Sequence, residues 1–152
     1  MANPFPFVAG SVLTAAELNG IGETAVSFTP TFGSYTRGNG TSVAYYMRVN
    51  KLVYVYVEET LGSTSSMGTQ PSMTLPVAAT RIQAISVTRN RIDDTGSNVF
   101  WGTVIPSSAT SVQIFADLAS GTYVAFTNIT ATVPMTWTTG DKFQLALVYE
   151  AA

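Results

Sequence analysis

The stretch VAYYMRVNKLVYVYVEETL, Val43 to Leu61, decides the fold. It reads as a long hairpin with Val49-Asn50-Lys51 at the turn. The second arm sets Leu52, Tyr54 and Tyr56 against Val53, Val55 and Val57, with the period of two that a strand requires. Both sets are apolar, so this arm is expected to be a central strand covered on both faces. Lys51 and the Glu58-Glu59 pair mark its ends.

The same reading extends to either side. Val26 and Phe28 alternate with Ser27 and Thr29 as in a half-buried strand, and FGSYTRGNGTS (32–42) is a Gly-rich loop between strands. STSSMGTQPS (63–72) reads as a loop, MTLPV as a short strand ending at Pro76, and RIQAISVTRNR (81–91) as a further strand. DDTGSN (93–98) is a turn by composition, because Asp, Gly and Asn tolerate left-handed geometry. VFWGTVIP, SVQIFADL, GTYVAFTNI and DKFQLALVYE complete the set, with TATVPMTWTTG (130–140) before the last. This pattern predicts an all-β, antiparallel sandwich, jelly roll or barrel of about eight strands. No internal repeat or linker interrupts residues 25–152, which read as one domain.

Residues 1–24 are different. In FVAGSVLTAAELN (7–19), Thr14 is an N-cap and Glu17 completes a capping box, while Leu13 and Leu18 are placed as a hydrophobic staple. Gly20 and Gly22 stop the helix. One or two turns are marginal alone, so this arm needs a surface, either the domain itself or another protein. Phe5, Phe7, Val12, Leu13 and Leu18 are its candidate docking residues.

Composition narrows the function. Charged residues are 11% of the chain, against about 25% in an average soluble protein, and the net charge is -2. No basic stripe is present, so no nucleic-acid partner is expected. There is no cysteine and no histidine, which removes thiolate metal sites, disulfides, the usual general base and every Ser-His or Cys-His nucleophile. No apolar run reaches the roughly 18 residues of a spanning helix, so no membrane insertion is expected. MANPFPF lacks a basic n-region and does not read as a signal peptide; synthesis and folding in a cytoplasm are expected.

Carboxylate pairs remain. Glu58 and Glu59 are adjacent on a strand, point to opposite faces and cannot easily share one sugar, so they read as a charged strand end. Asp93-Asp94, with Thr95 and Asn98, reads as a turn, since no calcium-loop spacing is present. No catalytic residue, metal site or cofactor is assigned. The aromatics are more informative, because exposed Tyr and Trp suit sugar stacking or protein contact. Most are strand residues; Tyr35, Trp101 and Trp137 lie in or near loops and are the candidate ligand-contact aromatics.

The run FTNITATVPMTWTTGDKFQLALVYEAA resembles a pattern of tail-fibre and other small virion proteins of tailed bacteriophages, T-(A/S)-x-x-P-x-T-W-x-x-G-D before a last strand ending in YE. Thr130, Pro134, Thr136, Trp137, Gly140, Asp141, Tyr149 and Glu150 match it. YTRGNGTSVAYYMRVNKLVYVYVEETLG with MTLPVAA is similar to the hairpin and LP strand of those proteins, and FVAGSVLTAAELNGIGE to their mounting peptide. The resemblance implies a virion structural protein without catalysis, assembled in the host cytoplasm. It implies a homotrimer of jelly-roll-like sandwiches whose arm docks on tail or capsid proteins and whose domain meets a host surface glycan or protein. Capsid decoration and a freestanding carbohydrate-binding module or lectin are the alternative readings.

Overall fold

The computed structural model describes Val12, Ala15, residues 25–82 and residues 88–152. Ten strands follow in order: β1 (Val26–Ser27), β2 (Phe32–Thr36), β3 (Thr41–Val49), β4 (Leu52–Thr60), β5 (Ser66–Thr74), β6 (Thr88–Asp93), β7 (Val99–Ser108), β8 (Ser111–Ser120), β9 (Tyr123–Asn128) and β10 (Lys142–Glu150). Every pairing is antiparallel, as the alternation predicts.

The hydrogen-bonded path is continuous: β1-β3-β4-β10-β6-β7-β8-β5-β2, with β9 on β8. Two separately bonded layers are not seen among the described strands. Instead one sheet curls so that its β2 edge folds back over β10, an interior strand. Tyr35 and Phe32 of β2 meet Phe143 of β10 edge-on, with ring centroids 5.1 and 5.7 Å apart. The concave face holds the core, including Val53, Val55 and Val57 of β4, Phe143, Leu145 and Leu147 of β10, Ile92, Val104 and Ile114.

The hairpin at 43–61 forms in the register its sequence implies, from Thr41↔Thr60 to Val49↔Leu52, and Asn50 takes the positive φ of 54° that the tight turn needs. β4 is central, between β3 and β10. Its second face differs from the expectation: Leu52 is exposed, and Tyr54 and Tyr56 are half-buried. Among the described residues no other element covers the convex side there, and tyrosine tolerates that position because its hydroxyl can face water.

Two loops of the sequence reading are strands. β2 lies inside the Gly-rich stretch, and β5 occupies residues read as loop. In β5 the buried Met67, Pro71 and Met73 face the core, while Ser, Thr and Gly between them mask the signal. The β2–β5 register breaks between Gly33↔Ser72 and Tyr35↔Met67, where Ser34 and Gln70 adopt φ near 56° and 57°. That bulge is where Pro71 fits, since proline cannot serve a regular central ladder. The expected helix around Thr14, together with Phe5, Phe7, Leu13 and Leu18, lies outside the described residues, as do Ala84, Ile85 and Val87 of the strand expected there. Val12 is exposed.

Gly102 shows how tightly the inner face is filled. A Cβ there would lie 2.0 Å from the Phe115 carbonyl oxygen and 2.2 Å from Asn90 Oδ1. The amide of Asn90 is buried with no hydrogen-bond partner among the described residues, so it occupies the space that the absent side chain leaves.

Burial predicts the stability map. Leu147→Ala removes a fully buried side chain and is expected to cost about 2–5 kcal/mol. Leu52→Ala, on the exposed face of the neighbouring strand, is expected to cost under about 0.5 kcal/mol. Urea denaturation midpoints of the two variants check this, and equal shifts would contradict the inner-face assignment.

Candidate functional site

Period two sends Glu58 and Glu59 to opposite faces of β4, as the sequence predicts, and the two carboxylates then do different work. Glu59 is not a solvated strand end. It is fully buried and accepts a bidentate pair from Arg37, with Nε to Oε2 at 2.7 Å and Nη2 to Oε1 at 2.8 Å. The Ser42 hydroxyl donates to Oε1 at 2.5 Å, and the Tyr35 hydroxyl to Oε2 at 3.4 Å. Burial and then the Glu59 charge push the Tyr35 phenol up to about 12, and the hydrogen bond to Glu59 raises Arg37 above its ordinary value. Tyr35 is only 7% exposed. Its expected place on the surface is therefore corrected: it closes the core between β2 and β10.

Trp137 is also an interior aromatic in part. It is half-buried, donates from Nε1 to the Thr130 carbonyl at 3.0 Å and meets Phe143 edge-on at 6.3 Å. Nearby, the buried Asp141 carboxylate accepts from the backbone N–H of Thr95 at 3.0 Å and of Thr138 at 2.6 Å, tying the 94–98 turn to the 138–140 loop. Asp94 accepts from Ser97 N–H through its backbone carbonyl, as a turn residue would. Among the described residues no group of three or more acidic side chains is placed to hold a metal.

Trp101 keeps its expected exposure, at 52%. It ends a cross-strand row on the convex face. Val43 pairs with Glu58, Glu58 with Gln144, Gln144 with Arg91, and Arg91 with Trp101, across β3, β4, β10, β6 and β7. The middle of the row, from Glu58 through Gln144 to Arg91, is joined by side-chain hydrogen bonds. Gln144 Nε2 donates to Glu58 Oε2 at 2.5 Å, while Gln144 Oε1 accepts from Arg91 Nη1 at 3.3 Å. The Tyr56 hydroxyl donates to Glu58 at 3.0 Å, Lys142 Nζ lies 3.4 Å from Glu58, and Arg91 pairs with Asp93 at 2.9 Å. Arg89 sits over the Trp101 ring at 5.9 Å and pairs with Asp117, which also accepts from Thr103 Oγ1 at 2.9 Å. Tyr45 and Tyr56 stack at 5.2 Å beside the row.

Apolar side chains are exposed in two further places: Met47, Val49 and Leu52 at the hairpin end of β3 and β4, and Leu118, Tyr123, Val124 and Phe126 on the β8–β9 hairpin. The sequence reading missed the row because its order depends on β10 and β6 returning between β4 and β7; only Trp101 stood out by residue type. No family model, no curated protein and no solved structure matches this chain.

Two outcomes follow from the carboxylates. Arg37→Met leaves Glu59 buried without its bidentate partner and is expected to cost about 3–5 kcal/mol. The double variant with Glu59→Gln should recover part of that loss in chemical denaturation. Glu58 is different: the Gln144 hydrogen bond, reinforced by Tyr56 and Lys142 against the cost of burial, holds its carboxyl below the ordinary value of 4.5. A lowered folded pKa gives stability that is full above the unfolded value and lost as pH falls through the folded one. Glu58→Gln should therefore flatten the acid limb of stability against pH below about 4.5 and leave neutral pH dependence unchanged.

Proposed function

We propose that this chain is a non-enzymatic structural protein of a tailed-bacteriophage virion, a tail-fibre or receptor-binding-type component displayed through residues 1–24. The observation that carries the reading is that Thr130, Trp137, Gly140 and Asp141 of the resembling run together build the loop that leads into β10. The Thr130 carbonyl accepts from Trp137 and Asp141 gathers two loops, while Tyr149, at the far end of β10, donates separately to the Val77 carbonyl at 2.8 Å. Gly140, at φ 97°, supplies the turn into β10.

The remaining features agree with display. In this reading the curled sheet serves as the jelly-roll-like knob, and Met47, Val49 and Leu52 supply apolar surface for contact within a homotrimer. The absence of histidine in the whole sequence fits a role without general-base chemistry. Capsid decoration uses the same parts, with residues 1–24 joining neighbouring capsid subunits instead of a tail.

Immunogold labelling of intact particles tests the proposal. Label at the tail tip is the expected result, and label over the head moves the protein to the decoration role. Particles without label would overturn the virion reading.

A further inference from the structure

We propose that the convex row Glu58–Gln144–Arg91–Trp101 is a binding platform for an uncharged saccharide. The site itself is argued from this face alone; only the saccharide's origin on a host surface rests on the display reading above.

Three properties of the row point to that ligand. The first is shape. From β4 to β7 the row crosses three inter-strand spacings, about 14 Å in all. Among the described residues no other strand lies over it, and it carries the exposed indole of Trp101, with Arg89 over one face of the ring, at one end and the stacked Tyr45–Tyr56 pair near the other. Aromatic planes of this kind offer rigid apolar area to the C–H face of a sugar ring.

The second is preorganised hydrogen bonding. Glu58, Gln144 and Arg91 fix one another through the 2.5 and 3.3 Å contacts, and Asp93 fixes the far side of Arg91 at 2.9 Å. Each keeps capacity beyond those bonds: the second amide N–H of Gln144, further guanidinium N–H groups of Arg91, and spare lone pairs on Glu58. Planar donors and acceptors already held in place lose little freedom on meeting vicinal hydroxyls.

The third is charge. Glu58, Asp93 and Asp117 are matched by Lys142, Arg91 and Arg89 in contact with them. The face is mixed and locally balanced, so it offers no net field to an acidic glycan or to a nucleic-acid backbone. An uncharged polyol is the ligand that uses such a surface without breaking its ion pairs.

The test is a printed array of neutral and acidic oligosaccharides probed with the full-length chain, followed by titration calorimetry with maltotriose, chitotriose and the best array hit. Binding to neutral glycans is expected. Trp101→Ala should weaken it roughly tenfold or more, Trp101→Phe should restore most of the loss, and Gln144→Ala should weaken it several-fold. Trp137→Phe should leave the affinity unchanged, and thermal melting of each variant separates lost binding from lost fold. Three results overturn the platform: no neutral saccharide bound at millimolar concentration, binding confined to acidic glycans or single-stranded oligonucleotides, or neutral binding that a folded Trp101→Ala retains. Because the assay uses purified protein, it can fail while particle labelling succeeds, and the reverse.

Discussion

The ladder between β4 and β10 is the constraint on which the rest of the structure depends. It runs without a break from Lys142↔Thr60 to Glu150↔Leu52 and joins segments some eighty residues apart in the chain. On one side it anchors the β3–β4 hairpin; on the other, β10 carries β6 and so the β6–β9 meander. Its inner face aligns Val53, Val55 and Val57 with Leu145, Leu147 and Tyr149, all nearly or fully buried. Because one register sets every one of these side chains inward, a slip by one residue would expose the whole set. Closing so long a loop also makes this a non-local step, paid for only when the inner face is buried.

Both ends of the seam are locked by polar contacts. At one end Glu59 holds Arg37 and Ser42, and Leu61 N–H reaches the Asp141 carbonyl at 2.8 Å. At the other, Ala151 N–H bonds the Lys51 carbonyl at 2.7 Å and the Tyr149 hydroxyl bonds the Val77 carbonyl at 2.8 Å. Buried charge of the Glu59 kind is weak evidence for net stability, but removing one partner is costly, so it resists any register that separates Arg37 from Glu59. The ion pair therefore discriminates between registers more than it deepens the native well.

How much of this was legible in the sequence depends on how local each signal is. The β3–β4 hairpin was readable because strict alternation and an Asn-containing turn sit within nineteen residues of each other. β5 was not, since Ser, Thr, Gly and Pro at its solvent-facing and bulged positions imitate a loop, and only its pairing with β2 and β8 makes it a strand. The burial of Glu59 was hidden for a similar reason: its partner Arg37 lies in a Gly-rich stretch that reads as loop, and a charge near a strand end is usually solvated. Tyr35 was misplaced with it. Trp101 was found by type, whereas Glu58, Gln144 and Arg91 became its neighbours only through β10.

The residues divide in a way that bears on function. Those matching the phage-protein pattern serve mainly to hold the fold: Trp137 and Tyr149 pack inward, Asp141 is buried among loop N–H groups, and Gly140 provides a backbone conformation. Glu58, Gln144, Arg91 and Trp101 are not among the eight matched positions, although Glu58 and Gln144 lie within the resembling stretches, and they form a cross-strand polar row on the convex face. Side chains alternate across a strand, so substitutions in the convex set leave the buried inner face in place and cost only the surface contacts they remove, such as those that hold Glu58 ionised. The proposed saccharide platform lies on the convex face, where a substitution changes the exposed surface and leaves the buried inner face in place.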